Sequence, residues 1–65
     1  MFNRDLLKLK MAERKMSQYE LARAVFASQP MIAGILLGYK QPSLGLAARI
    51  AGVFGCSVDD FVRKE

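Results

Sequence analysis

The chain of 65 residues contains no histidine and a single cysteine, Cys56. Without histidine the commonest general base is missing, and neither a Ser/His nor a Cys/His nucleophilic pair can form. One cysteine cannot make an internal disulfide, and without histidine it does not complete a zinc site. A phosphate-binding glycine loop is missing as well. We therefore expect no enzymatic activity, no metal and no cofactor, and we interpret Cys56 as a small buried hydrophobic residue.

Long apolar segments are also missing. No run approaches the roughly 20 apolar residues that a transmembrane helix needs, and the opening residues lack the blocks of a signal peptide. We expect a cytoplasmic protein without membrane contact. Hydrophobic residues still make up 52% of the chain, which is too much for disorder. This content predicts one small domain over residues 1–65, whose marginal core requires compact helix packing or dimerisation.

The positive charge is concentrated in the first part of the chain. The formal net charge is +4, of which residues 1–15 carry +3, residues 16–43 carry +1 and residues 44–65 carry none. A small basic domain suits a polyanionic partner such as nucleic acid. Solubility alone explains such a charge equally well, so the partner must be inferred from the motifs.

Residues that cap helices divide the chain into five short helices. Asn3 is the expected N-cap of a first helix that runs to about Arg14. Ser17 and Glu20 have the spacing of a capping box, in which each side chain accepts a hydrogen bond from the other residue's backbone N–H. The remaining helices are predicted by the N-caps Ser28, Ser43 and Ser57, by Pro30 in a first turn, and by the terminating glycines Gly38 and Gly55.

Apolar residues at helical spacing predict the inward face of each helix. Only the turn at Phe26 and Ala27 separates the second helix from the third, and no stretch has a strand pattern. We predict an all-α fold in which helices 2 and 3 form a helix-turn-helix, an arrangement that presents helix 3 to the DNA major groove. The predicted inward residues are Leu6, Leu7, Met11, Leu21, Ala22, Val25, Ile32, Ile35, Leu36, Leu46, Ala47, Ile50, Ala51, Phe54 and Phe61.

An ordered set of short motifs resembles the phage repressor and Cro family of helix-turn-helix DNA-binding domains. The resemblance implies a compact five-helix, lambda-repressor-like domain that binds duplex DNA as a two-fold dimer and regulates transcription. Helix 3 is then the recognition helix. The matching residues are Met16-Ser17-Gln18, Glu20-Leu21-Ala22, Ser28, Ile32, Ile35, Gly38, Pro42-Ser43-Leu44, Ile50-Ala51, Ser57-Val58-Asp59 and Phe61.

The resemblance also implies the candidate DNA-binding residues. Gln29 carries an amide that matches the donor and acceptor of adenine, and Gln18 has the same chemistry for a base or a phosphate. Lys40 supplies a positive charge, and the Ser43 cap leaves free amides at the positive end of a helix. The family positions that read bases are Gln29, Pro30, Met31, Ala33, Gly34 and sometimes Leu37; those that contact the DNA backbone are Gln18, Tyr39, Lys40, Gln41 and Ser43. Ser28, the cap of helix 3, is a further DNA-binding candidate.

Two departures from the family pattern concern packing. Phe26 stands where the family usually has a glycine with positive φ, so we expect either a different turn or a buried ring that offsets roughly 1–2 kcal/mol of strain. Met11 and Leu36 stand where many relatives pair an arginine with a glutamate. We predict that these two apolar side chains touch, since replacing both members of an ion pair by apolar residues is often neutral or stabilising.

A third departure leaves two functions open. Helix 3 offers hydrogen bonds to bases only through Gln29, so thymine methyl groups and DNA shape must supply the remaining specificity. Gly34 weakens the helix, and we interpret it as room for close approach by DNA or a partner. The leading hypothesis is a dimeric repressor that occludes a promoter, with half-sites roughly 34 Å apart. The alternative is a protein-interaction module, antirepressor-like or antitoxin-like, that uses the apolar face of helix 3.

The dimer contact is predicted near the end of the chain. Phe61, Val62 and the C-terminal residues are the candidates, although burial of Phe61 within its own core competes with that role.

Overall fold

Five helices follow one another through short connections in the computed structural model, which describes residues 1–62. The all-α prediction is confirmed over this range. Only one isolated antiparallel bridge, between Phe2 and Val62, lies outside the helices among these residues. The helices are α1 (Arg4–Arg14), α2 (Gln18–Ala24), α3 (Gln29–Leu37), α4 (Leu44–Val53) and α5 (Val58–Phe61).

The predicted N-caps begin these helices through local hydrogen bonds. Asn3 Oδ1 accepts from the Leu6 N–H at 3.1 Å, Ser28 Oγ from Met31 at 3.2 Å and Ser43 Oγ from Leu46 at 3.1 Å. Each bond satisfies one backbone donor that the first helical turn leaves unpaired. Gly38 ends α3 in the left-handed conformation, with φ of +91°, as predicted.

The capping box at the start of α2 is complete. The Ser17 N–H donates to Glu20 Oε1 at 2.9 Å, and the Glu20 N–H donates to Ser17 Oγ at 3.0 Å. These contacts with the Ser17 N–H and hydroxyl favour the ionised carboxylate and hold the pKa of Glu20 below its usual value. The beginning of α2 is therefore positioned by its own sequence.

The core is formed by the faces that apolar spacing predicts. All the predicted inward residues of α2, α3 and α4 are buried, whereas Leu6 and Cys56 are only partly buried against the cluster. Met11 and Leu36 each retain 7% exposure within it, and α1 packs against α3. Burial of both side chains agrees with the predicted Met11–Leu36 contact, which stays a prediction.

Phe61 belongs to the core rather than to a surface. Its side chain is 0% exposed, and its ring stacks on Phe2 at 5.4 Å between centroids. The Asn3 N–H also donates to the Phe61 carbonyl at 2.6 Å, which ties the N-terminal segment to α5. A dimer contact through the Phe61 side chain is therefore excluded in this fold. Val62 is exposed, and the C-terminal residues 63–65 lie outside the described part of the chain.

Phe26 contradicts both expectations made for it. Its φ is +59°, so the turn keeps the left-handed conformation typical of glycine, and its ring is 88% exposed. Burial of the ring therefore does not offset the strain of roughly 1–2 kcal/mol that a side chain adds in this conformation.

We expect Phe26→Gly to stabilise the protein by about 0.5–1 kcal/mol, because relief of the strain exceeds the entropic cost of the glycine. Chemical denaturation followed by circular dichroism measures the change. The matched control is Phe26→Ala, which removes the ring but retains a Cβ at positive φ. An equal gain from both substitutions would show that the ring, not the backbone, carries the cost.

No single helix within residues 1–62 combines the length and apolarity needed to cross a membrane. Only α2 and α3 taken together reach this length and apolarity, and the two helices are bent by 116° at their connection.

Candidate nucleic-acid interface

The bend of 116° between α2 and α3 has the geometry of a helix-turn-helix. Ile32, Ile35 and Leu36 turn one side of α3 toward the core. The opposite side and the start of the helix remain accessible: Ser28, Gln29, Pro30 and Leu37 are exposed, and Met31 and Ala33 are half-buried. The beginning of α3 is therefore open to a large ligand such as a nucleic acid.

Gly34 does not lie on this open side. It is buried, and a Cβ built there would lie 2.9 Å from Cδ and 3.0 Å from Cγ of Lys40. The glycine thus makes room for a side chain of its own molecule. This placement corrects the interpretation that Gly34 leaves space for DNA or for a protein partner.

The loop from α3 to α4 contributes a second group of predicted residues. Tyr39, Lys40 and Ser43 are exposed, and the Tyr39 and Lys40 N–H groups both donate to the Gly34 carbonyl, at 2.9 and 3.2 Å. This loop is therefore held against the end of α3. The Ser43 hydroxyl accepts from the Leu46 N–H and thereby satisfies one backbone donor at the start of α4.

Gln41 has a structural contact that the sequence did not predict. Its Oε1 accepts a hydrogen bond from the Phe2 N–H at 3.1 Å, across 39 residues of chain. The side-chain carbonyl thus anchors the N-terminal segment, and the amide N–H groups are the part of Gln41 that is suited to a phosphate. Gln18, half-buried, is the first residue of α2.

Two arginines are engaged within the fold instead of at the predicted interface. Arg14 Nη1 donates to the Val53 carbonyl at 2.7 Å, and its guanidinium lies 5.2 Å from the Phe54 ring centroid. Arg49 Nε donates to the Val25 carbonyl at 2.8 Å, near the end of α2. Both cations meet helix C-terminal ends, where the helix dipole favours positive charge. Their charges stabilise helix packing.

The bend between α2 and α3 and the exposed start of α3 define the class of this protein as helix-turn-helix. A helix-turn-helix family model matches residues 7–61, from α1 to the end of α5. The chain therefore belongs to the Cro/C1-type helix-turn-helix family, and it is a DNA-binding transcription regulator in kind. This is a regulatory family that is generally non-enzymatic. No curated protein sequence matches the chain significantly.

Proposed function

We propose that this protein is a sequence-specific repressor that binds duplex DNA as a dimer and occludes a promoter in the cytoplasm. The observation that carries the proposal is the exposed start of α3, with Ser28, Gln29 and Pro30 accessible beyond a 116° bend. An α-helix presented in this way fits the DNA major groove and reads base edges with its first residues.

The candidate contacts divide into base readout and backbone positioning. Gln29 is the hydrogen-bonding reader, while Pro30, Met31, Ala33 and Leu37 offer apolar contacts to thymine methyl groups. The proposed phosphate contacts are Gln18, Tyr39, Lys40, Gln41 and Ser43, and Ser28 caps the start of the recognition helix. Gly34 is not among the proposed DNA contacts, because the Lys40 side chain covers it. Gln29 is the one side chain that can form two hydrogen bonds to a base, and such a contact discriminates against the wrong base by about 1–3 kcal/mol. DNA shape must therefore supply much of the specificity.

An apolar groove supports dimerisation. It has a volume of about 270 Å³ and lies between the N-terminal segment, the start of α4 and α5. A second copy that covers this groove shields its exposed apolar side chains from water. Its apolar lining includes Met1, Pro42, Leu44, Ala47, Val58 and Val62.

Fluorescence anisotropy with labelled duplexes at several salt concentrations tests the proposal. We expect affinity to fall steeply with salt, because each phosphate contact releases counterions. Gln29→Ala should change the preference between sequences, whereas Lys40→Ala should weaken binding to all sequences alike. A change of sequence preference in Lys40→Ala would contradict this division of roles. A folded protein that binds no duplex at about 50 mM salt would contradict the repressor itself.

The second candidate function is a protein-interaction module on the same fold. It is favoured by the exposed apolar residues at the end of α3, since Leu37 is 63% and Tyr39 82% exposed, and by the lack of charged residues in α3. Such a surface suits an apolar partner helix. Failure of duplex binding by the folded protein at low salt would favour this candidate.

A further inference from the structure

Two glycines at the end of α3 are each covered by a basic side chain. The Lys40 methylenes lie against Gly34, and the Arg4 guanidinium occupies the space that a Cβ of Gly38 would need. The two glycines are four residues apart, so about 6 Å of helix rise separates them on one side of α3. Glycine at both positions allows the two cations to rest on the helix backbone.

Arg4 is held in this position by the fold. It is the first residue of α1, whose cap Asn3 donates through its N–H to the Phe61 carbonyl at 2.6 Å. The preceding residue, Phe2, is fixed by its ring stacking and by the hydrogen bond to Gln41. The helix dipole adds to this arrangement, because the C-terminal end of α3 favours nearby positive charge. The backbone of Arg4 is therefore fixed by the fold, and its guanidinium lies against Gly38.

Arg4 and Lys40 line the same cavity. It has a volume of about 250 Å³ and also contacts Ile35, Gly38 and Gln41. Asp5 contributes one negative charge to the lining, so the side chains of Arg4, Lys40 and Asp5 together carry +1. A guanidinium supplies two parallel N–H donors and an ammonium supplies a compact charge, and together these suit the oxygens of one phosphate group.

We propose that Arg4 and Lys40 form a two-cation clamp for one phosphate of the DNA backbone at the C-terminal end of α3. The clamp rests on the proposed function, because Lys40 belongs both to this cavity and to the loop assigned to phosphate contact. Arg4 lies outside residues 7–61, the part of the chain that matches the family model. The clamp therefore extends the interface to a residue that the family resemblance did not indicate.

The test measures duplex affinity against salt for Arg4→Gln, Lys40→Gln and the double variant. We expect each single substitution to weaken binding to every DNA sequence about tenfold, because it removes one charge that is hydrogen-bonded to the phosphate. Because one phosphate is shared, the double variant should lower the salt slope by about 0.9 in total, not by twice that amount. A decrease near 1.8 would mean two separate phosphates and would overturn the shared clamp.

Arg14→Gln is the matched control, because it removes the same charge from a guanidinium that is engaged with Val53 and Phe54. We expect it to retain the wild-type salt slope while folded, as checked by circular dichroism. If Arg4→Gln binds DNA as Arg14→Gln does, the clamp is wrong and the proposed function stands. If the folded wild-type protein binds no DNA, both proposals fail.

Gly34→Ala provides a test that leaves the net charge unchanged. A methyl group at this position forces the Lys40 side chain to move, since the two would otherwise be 2.9 Å apart. We expect weaker binding to every duplex with both cations still present. Wild-type affinity in this variant would contradict the held position of Lys40.

Discussion

Leu36→Glu is expected to destabilise the protein strongly, by about 3–5 kcal/mol. The Leu36 side chain is 7% exposed within the core, so a glutamate there buries a charge without a partner. An unpaired buried charge costs about 3–5 kcal/mol. A chain of 65 residues has a total stability of about 3–10 kcal/mol at typical values per residue. The cost is therefore between about a third of the total stability and all of it.

Urea denaturation followed by circular dichroism measures this loss, and Leu36→Met is the control. The control conserves volume and polarity, so it should cost less than about 1.5 kcal/mol. An unchanged melting temperature for Leu36→Glu would show that this side chain is not enclosed as the fold requires.

The double variant Met11→Arg/Leu36→Glu tests the predicted contact between the two positions. Both native side chains are 7% exposed, and the substitutions introduce the arginine–glutamate pair that the family resemblance implies at these positions. We expect the arginine to recover part of the stability that the glutamate removes, because the pair compensates the buried charge. Equal stability of the double variant and Leu36→Glu would contradict the contact.

Phe61→Ala is expected to destabilise the protein by about 3–5 kcal/mol, as for other large aromatic residues removed from a core. The ring is 0% exposed and lies 5.4 Å from the Phe2 centroid and 6.5 Å from that of Phe54. Its removal leaves a cavity and takes away the stacking surface that holds the N-terminal segment. Thermal and urea denaturation measure the effect.

Phe26→Ala is the control for Phe61→Ala, because the same atoms are removed from a ring that is 88% exposed. We expect a change within about 0.5 kcal/mol, as for most surface substitutions. Comparable losses of unfolding free energy in Phe61→Ala and Phe26→Ala would mean that burial does not determine how much each ring contributes to stability. A further consequence of Phe61→Ala is weaker DNA binding, because Arg4 depends on the docked N-terminal segment.

The helices and most of the core were predicted from the sequence because their causes are local. A serine or asparagine cap bonds an amide three residues ahead, as Ser28 does with Met31. Apolar residues at helical spacing lie on one side of a helix whatever surrounds it, and the inward residues of α2, α3 and α4 followed that pattern. Family membership also followed from local motifs, which the match over residues 7–61 confirms.

Details of the candidate site depended on contacts between distant residues. Gln41 accepts a hydrogen bond from the Phe2 N–H, 39 residues earlier in the chain. The Arg4 side chain, at the start of α1, lies against Gly38, which follows α3. The pattern around Gly34 gives no sign that Lys40 covers it. Phe26 was misjudged for the same reason, since the exposure of its ring depends on where the neighbouring helices leave space.

The order of the amino acids alone determined the helix boundaries, the buried faces and the membership in a DNA-binding family, because these depend on neighbours within about one helical turn. Tertiary structure alone decided which arginines donate to carbonyls at helix C-terminal ends, which glycines contact basic side chains and which aromatic rings are exposed. Those outcomes require helices distant in the chain to pack at particular angles, and no local pattern encodes the resulting distances.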